Sequence, residues 1–106
     1  MRLPWFTALV NGPSMAPTLR HGDAVLVTRG RSTREGDVVV ARFRSRPVLL
    51  VVKRVAHREG DGWWLVGDNP LVLDDSRAYG VADVIGRVVL RWWPGIGRVG
   101  RVPRSP

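Results

Sequence analysis

The chain has 106 residues, a formal net charge of +8, 44% hydrophobic residues and no cysteine. This length predicts a single domain with a small core, and the hydrophobic content excludes a disordered chain. The absence of cysteine excludes a disulfide framework and a thiolate metal site.

Short runs of β-forming residues, bounded by glycine, proline and polar turns, recur along the chain. The predicted strands cover residues 5–10, 24–28, 37–43, 48–56, 63–66 and 84–92. Residues 70–79 are predicted to form a loop, and no window carries a helical period over two or more turns. The pattern predicts an all-β, mostly antiparallel, barrel-like or folded-ribbon domain over residues 1–93. The remaining residues, 94–106, are predicted to form a flexible basic tail.

The turn between the first two strands carries a serine, Ser14, whose backbone is fixed by two prolines and a glycine. A serine on a stiff turn can be aimed at a substrate, but it is a weak nucleophile without a base nearby. The two histidines, His21 and His57, lie among charged residues and show no sequence sign of sharing a site with Ser14.

The better candidate for the base is Lys53, which is the only lysine in the chain against sixteen arginines. Arginine cannot lose its proton near neutral pH, whereas a buried lysine can. On a strand, Lys53 shares a face with Leu49, Val51 and Val55. Burial among such residues lowers the pKa of a lysine, and a neutral amine close to Ser14 would be a competent general base.

Four motifs, in this order along the chain, resemble those of the type I signal peptidase family of Ser-Lys proteases. They are GPSMAPTL with Gly22-Asp23, KRV around Lys53, Gly67-Asp68-Asn69, and Asp75-Ser76-Arg77 with Tyr79-Gly80-Val81. The match extends from residue 12 to about residue 89, which is most of the chain. Within that family, the chain is most similar to the small nickel-type superoxide dismutase maturation proteases. It shares with them a compact form, the GPSM spelling and the lack of a membrane anchor.

The resemblance implies a serine endopeptidase that needs no cofactor and no metal. Ser14 would be the nucleophile and Lys53 its general base. Gly12, Pro13 and Met15 would contribute to the oxyanion hole and the substrate groove. The substrate would be a precursor protein, bound as an extended strand at a sheet edge, from which an N-terminal signal or maturation propeptide is removed.

The resemblance also implies that Asp68, Asn69, Asp75 and Arg77 brace the site. By residue type alone Asp68 and Asn69 could be metal ligands, but Gly-Asp-Asn is more often a turn with side-chain to backbone hydrogen bonds. Asp74 and Asp75 could form a carboxylate pair for acid–base chemistry, but adjacent loop residues need not converge. An ion pair between Asp75 and Arg77 that shapes the site is the preferred interpretation.

Two positions depart from the bacterial family pattern. Gly12 stands where a hydroxyl residue often helps to form the oxyanion hole, so the second donor is open between the Gly12 amide, a water and Asn11. Leu73 stands where a serine usually orients the lysine, so Lys53 needs another orienting partner or none. Arg54 is expected to be solvated on the opposite strand face or to pair with an acid such as Asp75.

The positive charge leaves a second class of function open, a basic β-barrel that binds nucleic acid through arginines and tryptophans. The tryptophans include two adjacent pairs, Trp63-Trp64 and Trp92-Trp93. Alternation along a strand is expected to turn one ring of each pair inward, leaving the other free to stack on a base. Such a module would be indifferent to Ser14→Ala, and the peptidase interpretation expects no nucleic acid partner.

A third possibility is a self-cleaving repressor-type relative with the same dyad. It would need a DNA-binding domain ahead of the serine, and only thirteen residues precede Ser14.

The sequence contains no stretch long enough to cross a membrane as a helix. The N-terminal apolar segment, residues 3–10, has eight residues with a proline inside, whereas a span needs about 20. The protein is therefore expected to be cytoplasmic, or peripheral at an anionic membrane that its arginines and outward tryptophan rings could contact.

Overall fold

A computed structural model of the protein describes residues 3–29 and 32–102. The elements in these ranges are β1 (Trp5–Leu9), β2 (Ala24–Thr28), β3 (Val38–Phe43), β4 (Leu50–Glu59), β5 (Gly62–Val66), α1 (Ser76–Tyr79), β6 (Ala82–Trp93) and β7 (Gly97–Arg98). The ends of the predicted domain and tail, and part of the arginine-rich run 29–34, lie outside the described residues.

The strands form one antiparallel sheet in the order β1-β2-β6-β3-β4-β5, with β7 paired to β6. The long strand β6 pairs with β3 through its first half and with β2 through its second half. A further pairing of β5 with β6, at Trp63 and Ala82, closes the strands β6, β3, β4 and β5 into a ring. The nearly all-β antiparallel fold predicted from the sequence is confirmed.

Two apolar clusters pack on opposite faces of the sheet because strand side chains alternate. On β3, Val38 and Val40 enter one cluster, while Val39, Ala41 and Phe43 enter the other. Each of these side chains is buried, and such burial stabilises a fold by about 1.5–3 kcal/mol per large aliphatic or aromatic residue. The first cluster also receives residues from the turn after β1, which ties that turn to the core.

The predicted loop over residues 70–79 contains a helical turn, α1, so the prediction of a plain loop is wrong there. Asp75 caps this helix by accepting a hydrogen bond from the Arg77 N–H at 3.1 Å. A helix of four residues is too short to leave a helical period in the sequence. The cap could have been read from the aspartate, since Asp is among the favoured N-cap residues.

The predicted tail makes backbone contacts with the sheet in its described part. The Val99 N–H donates to the Val89 carbonyl at 3.2 Å, and the Val102 N–H donates to the Gly36 carbonyl at 3.0 Å. The first bond continues the pairing of β7 with β6, and the second joins Val102 to the turn that precedes β3. Residues 97–102 thus pack against the domain, while the flexibility of the tail stays a prediction.

Candidate active site

The turn that carries Ser14 is held by its own hydrogen bonds and by two buried anchors. The Ala16 N–H donates to the Pro13 carbonyl at 3.1 Å, and the Leu19 N–H donates to the Met15 carbonyl at 2.9 Å. The side chains of Met15 and Leu19 are fully buried in the first apolar cluster. The half-buried Ser14 is therefore held on a backbone that the core keeps in place.

A second turn, Gly67-Asp68-Asn69, packs against the backbone of Ser14. The Asn69 N–H donates to the Ser14 carbonyl at 2.9 Å, and the Asn69 side-chain amide donates to the Pro13 carbonyl at 3.0 Å. The Asn69 side-chain oxygen accepts from the Leu71 N–H at 3.0 Å, as in an Asx turn. Asn69 thus joins two segments that are far apart in sequence.

Lys53 lies on β4 and is buried, with 3% of its surface exposed. Ser14 and Lys53 line the same cleft, which has a volume of about 330 Å³. Burial lowers the pKa of the Lys53 ammonium, and this outweighs the carboxylates of Asp74 and Asp75, which raise it. The cleft therefore combines a hydroxyl group with an amine whose neutral form is favoured by its surroundings.

Ser14 and Lys53 line one cleft, but their side chains are not hydrogen-bonded to each other. Within the described residues no hydrogen bond joins Ser14 Oγ to Lys53 Nζ. Catalytic hydrogen bonds are often long in the absence of substrate and tighten in the complex.

Asp75 and Arg77 form the ion pair expected from the sequence, with Arg77 Nη2 and Asp75 Oδ2 2.6 Å apart. Asp75 is fully buried and also accepts from the Gly67 N–H at 3.0 Å. Burial by itself raises the pKa of Asp75, but hydrogen bonds from Arg77 and Gly67 outweigh it and lower the pKa overall. Asp75 thereby connects helix α1 to the turn that packs on Ser14.

Arg54 pairs with an acid, as one of the two expectations had it, but the acid is Asp68 and not the suggested Asp75, and Arg54 is buried and not solvated. Arg54 Nε and Nη2 each donate to one oxygen of Asp68, both at 2.8 Å. Arg54 Nη1 also donates to the Gly36 carbonyl at 2.7 Å, and the Thr18 hydroxyl donates to Asp68. Asp68 thus joins β4 to Thr18, in the turn that follows Ser14, and both partners of the ion pair are buried.

Of the three positions expected at the oxyanion hole and groove, two line the cleft and one does not. Gly12 and Pro13 line the cleft with Ser14, as does Asn11. Met15 is buried in the first apolar cluster and does not line the cleft. Among the residues that the structure describes, no three His, Asp or Glu side chains converge as metal ligands would.

His21 lies beside the Ser14 turn, contrary to the sequence interpretation, which gave it no part there. The Gly12 N–H donates to His21 Nδ1 at 3.0 Å. This bond uses the Gly12 amide, which was one of the candidates for the second oxyanion donor. The backbone φ of Gly12 is 84°. Glycine adopts such a positive value readily because it has no β-carbon.

Three residues near the site had no individual role in the sequence prediction, namely Gly67, Thr18 and His21. Asp74 was considered there only as one member of a carboxylate pair with Asp75. Gly67 and Asp74 stand beside residues that were singled out, and Asp74 lines the cleft with Lys53. The available signal was the carboxylate of Asp74, which directly follows Leu73, the position at which an orienting serine is absent. The contacts of Thr18 and His21 depend on how the turn folds back, which no local pattern indicates.

The pair Trp92-Trp93 departs from the expectation of one inward ring, whereas in the pair Trp63-Trp64 one ring, that of Trp63, packs on the core. Trp92 and Trp93 are both exposed, at 46% and 58%, so neither ring of this pair turns into the core. Trp63 packs on the second apolar cluster and carries the Arg58 guanidinium 5.0 Å from its ring centroid. None of the helices in the described ranges has the length and apolar character that crossing a membrane requires.

Comparison with known proteins gives a consistent set of relatives. Residues 4–89 match the family described as Peptidase S24-like. The chain is 33% identical over 125 residues to mitochondrial inner membrane protease subunit 1 of Xenopus tropicalis, covering 92% of this chain and 74% of the relative. The human protein of the same name is 31% identical, covering 81% of this chain and 68% of the relative.

A plant relative is similar to the same extent. The mitochondrial ATP-independent inner membrane protease subunit 1a of Arabidopsis thaliana is 31% identical, with 83% of this chain and 70% of the relative covered. None of these three is a nickel-type superoxide dismutase maturation protease, so that narrower resemblance stays a prediction.

Proposed function

Because the chain belongs to the Peptidase S24-like family, is related to inner membrane protease subunits and is therefore a serine-type peptidase, we propose that it cleaves its substrate with a Ser14–Lys53 dyad. The observation that carries this proposal is the placement of Ser14 and the buried Lys53 on one cleft. The lowered pKa of Lys53 supports it, since a charged ammonium could not accept the serine proton.

The reaction proceeds in two steps that use the same pair. The Ser14 hydroxyl oxygen attacks the scissile carbonyl while the neutral Lys53 amine accepts its proton. The resulting ammonium donates that proton to the leaving amine, and an acyl-enzyme remains on Ser14. Lys53 then activates a water that hydrolyses the ester and restores the serine.

The developing oxyanion receives the Ser14 N–H as one donor. Asn11, which lines the cleft next to Ser14, is the second donor in this proposal, since the Gly12 amide is bound to His21. Removing one such donor typically costs about 10²–10³ in rate. Asn11→Ala therefore distinguishes two roles. A rate loss of this size identifies Asn11 as a donor, and an unchanged rate means that Asn11 only lines the cleft.

The substrate lies as an extended strand between β1 and β4. Within the described sheet β1 pairs with β2 alone, and β5 pairs with β4 from Arg54 onward, so each strand has a free edge near Ser14. Residues of both strands, including Ala8 and Val51, line a common groove of about 410 Å³. A peptide strand added there gains backbone hydrogen bonds from either side.

The substrate class is a precursor protein with an N-terminal signal or maturation propeptide, and a nickel-type superoxide dismutase precursor is the specific candidate. The names of the relatives describe inner membrane proteases. The exposed Trp92 and Trp93 border a second apolar pocket with Leu9, a surface suited to a membrane interface. Peripheral membrane contact of this face accords with those names.

The test is incubation of N-terminally extended precursors with the protein, followed by intact mass measurement. The wild type should release the extension, and Ser14→Ala should leave the precursor intact. Ser45→Ala, an exposed serine outside the cleft, is the matched control and should cleave normally. Cleavage that survives Ser14→Ala contradicts the nucleophile assignment. Salt-dependent nucleic acid binding without any cleavage would instead favour the basic-barrel alternative.

A further inference from the structure

A basic pocket lies apart from the catalytic cleft. Ser32, Arg34, Arg87 and Arg101 line it, and its volume is about 410 Å³. It shares no lining residue with the cleft that contains Ser14. Three arginines and one serine therefore line a common space, and none of the four lining residues is acidic.

Two carboxylates follow Arg34 closely in sequence, the exposed Glu35 and the buried Asp37, and Asp37 is already engaged. Asp37 Oδ1 accepts from Arg101 Nε at 2.7 Å, and Asp37 Oδ2 accepts from the Arg34 backbone N–H at 2.9 Å. No side-chain ion pair of Arg34 or Arg87 is formed within the described part of the chain. The pocket thus retains net positive charge after its local partners are counted.

Arg87 adds a second, independent observation. Its Nε is buried and has no hydrogen-bond partner within the described residues. A buried donor without a partner is rare in folded proteins and unfavourable for stability. Repulsion among neighbouring guanidinium groups is a further cost. An anion with several acceptor oxygens in the pocket would relieve this repulsion.

We propose that the pocket of Ser32, Arg34, Arg87 and Arg101 binds a phosphate group. The planar guanidinium fork matches two phosphate oxygens, and a serine hydroxyl donates to a third. Such a group is supplied by a soluble phosphate compound or by the headgroup of an anionic phospholipid. The chemistry recognised is the same in both cases, and the binding needs neither Ser14 nor Lys53.

The first measurement is titration of the folded protein with inorganic phosphate at constant ionic strength, followed by the backbone amide NMR signals. Saturable shifts centred on the four lining residues are expected. Arg34→Gln should weaken the affinity about tenfold or more, since one charge-assisted contact is lost. Arg34 is exposed, so this variant keeps the fold. Arg42→Gln, an exposed arginine on β3 with the same change in charge, is the control and should bind as the wild type does.

The second measurement separates the two sources of phosphate. Vesicles of phosphatidylcholine are compared with vesicles that also contain phosphatidic acid, again with wild type, Arg34→Gln and Arg42→Gln. If vesicles that contain phosphatidic acid bind the wild type and Arg42→Gln but not Arg34→Gln, the ligand is the lipid headgroup. If inorganic phosphate binds and the vesicles do not, the ligand is a soluble phosphate compound. The proposal is overturned if neither form binds, or if Arg42→Gln weakens binding as much as Arg34→Gln. Ser14→Ala should bind phosphate normally, so this outcome is independent of the peptidase proposal.

Discussion

Gly67 lies so close to the backbone of Ser14 that a β-carbon at position 67 would stand 2.5 Å from the Ser14 carbonyl oxygen. That distance is a steric clash with main-chain atoms, which cannot rotate away as a side chain could. The turn that carries Ser14 and the turn that packs on it must therefore move apart in any variant with a side chain at position 67.

Gly67→Ala is expected to lower both stability and activity. The overpacked contact should reduce the free energy of unfolding by about 1–3 kcal/mol and displace Ser14 from the cleft. Thermal unfolding and cleavage of a precursor measure the two effects. Gly95→Ala, where a β-carbon meets nothing within 4 Å, should change stability by no more than about 0.5 kcal/mol. Equal stability of the two variants contradicts the tight contact.

Lys53→Arg tests whether the residue must lose its proton. Arginine keeps a positive charge but stays protonated near neutral pH, so kcat/KM should fall by about 10²–10⁴-fold, the range expected for loss of a general base. Lys53→Met should fall to a similar extent with the fold retained, as far-UV circular dichroism would report. Turnover close to that of the wild type in Lys53→Arg rules out the base assignment.

The strands could be predicted from the sequence because β-forming residues and turn residues alternate at short range along the whole chain. Long-range partners could not be predicted in the same way. Arg54 is one residue after Lys53 and could pair with several acids, and only the folded sheet brings it to Asp68. Residue type and family resemblance predict the candidate pair Ser14 and Lys53, whereas the packing of Gly67 on Ser14 is visible only in the folded structure.

The same reasoning applies to the ends of elements. Strand alternation predicts one inward ring in each tryptophan pair, but alternation matters only where the sheet is covered by a second layer. At the end of β6 both Trp92 and Trp93 are exposed, so neither ring lies under such a layer. Coverage of a sheet is a property of the whole fold, so a local pattern could not reveal it.

Asp74→Asn should shift the pH dependence of cleavage to lower pH. Activity is expected to rise with pH as Lys53 loses its proton, because only the neutral amine accepts the serine proton. The negative charge of Asp74 raises the pKa of Lys53, so its removal favours the neutral amine and moves the ascending limb downward. The measurement is kcat/KM as a function of pH.

Asp61→Asn provides the matched control for that shift. Asp61 is an exposed carboxylate that pairs with Arg44 and does not line the cleft. Its replacement removes the same charge and should leave the limb in place. An ascending limb that stays fixed in Asp74→Asn, or moves to higher pH, contradicts the coupling of Asp74 to Lys53.

Asp75→Asn should make stability less dependent on pH in the acid range. The pKa of Asp75 is lowered from its ordinary value of 3.8 in the folded state, so the unfolded chain binds the proton more readily than the folded protein does. The stabilising contribution of Asp75 is therefore complete above the unfolded value and is lost as pH falls through the lower folded value. Urea unfolding of wild type and variant between pH 2 and about 7 should show a difference that is largest near neutrality and shrinks in acid. A difference of constant size across that range would mean that Asp75 stabilises the fold by packing and hydrogen bonding that its ionisation does not affect.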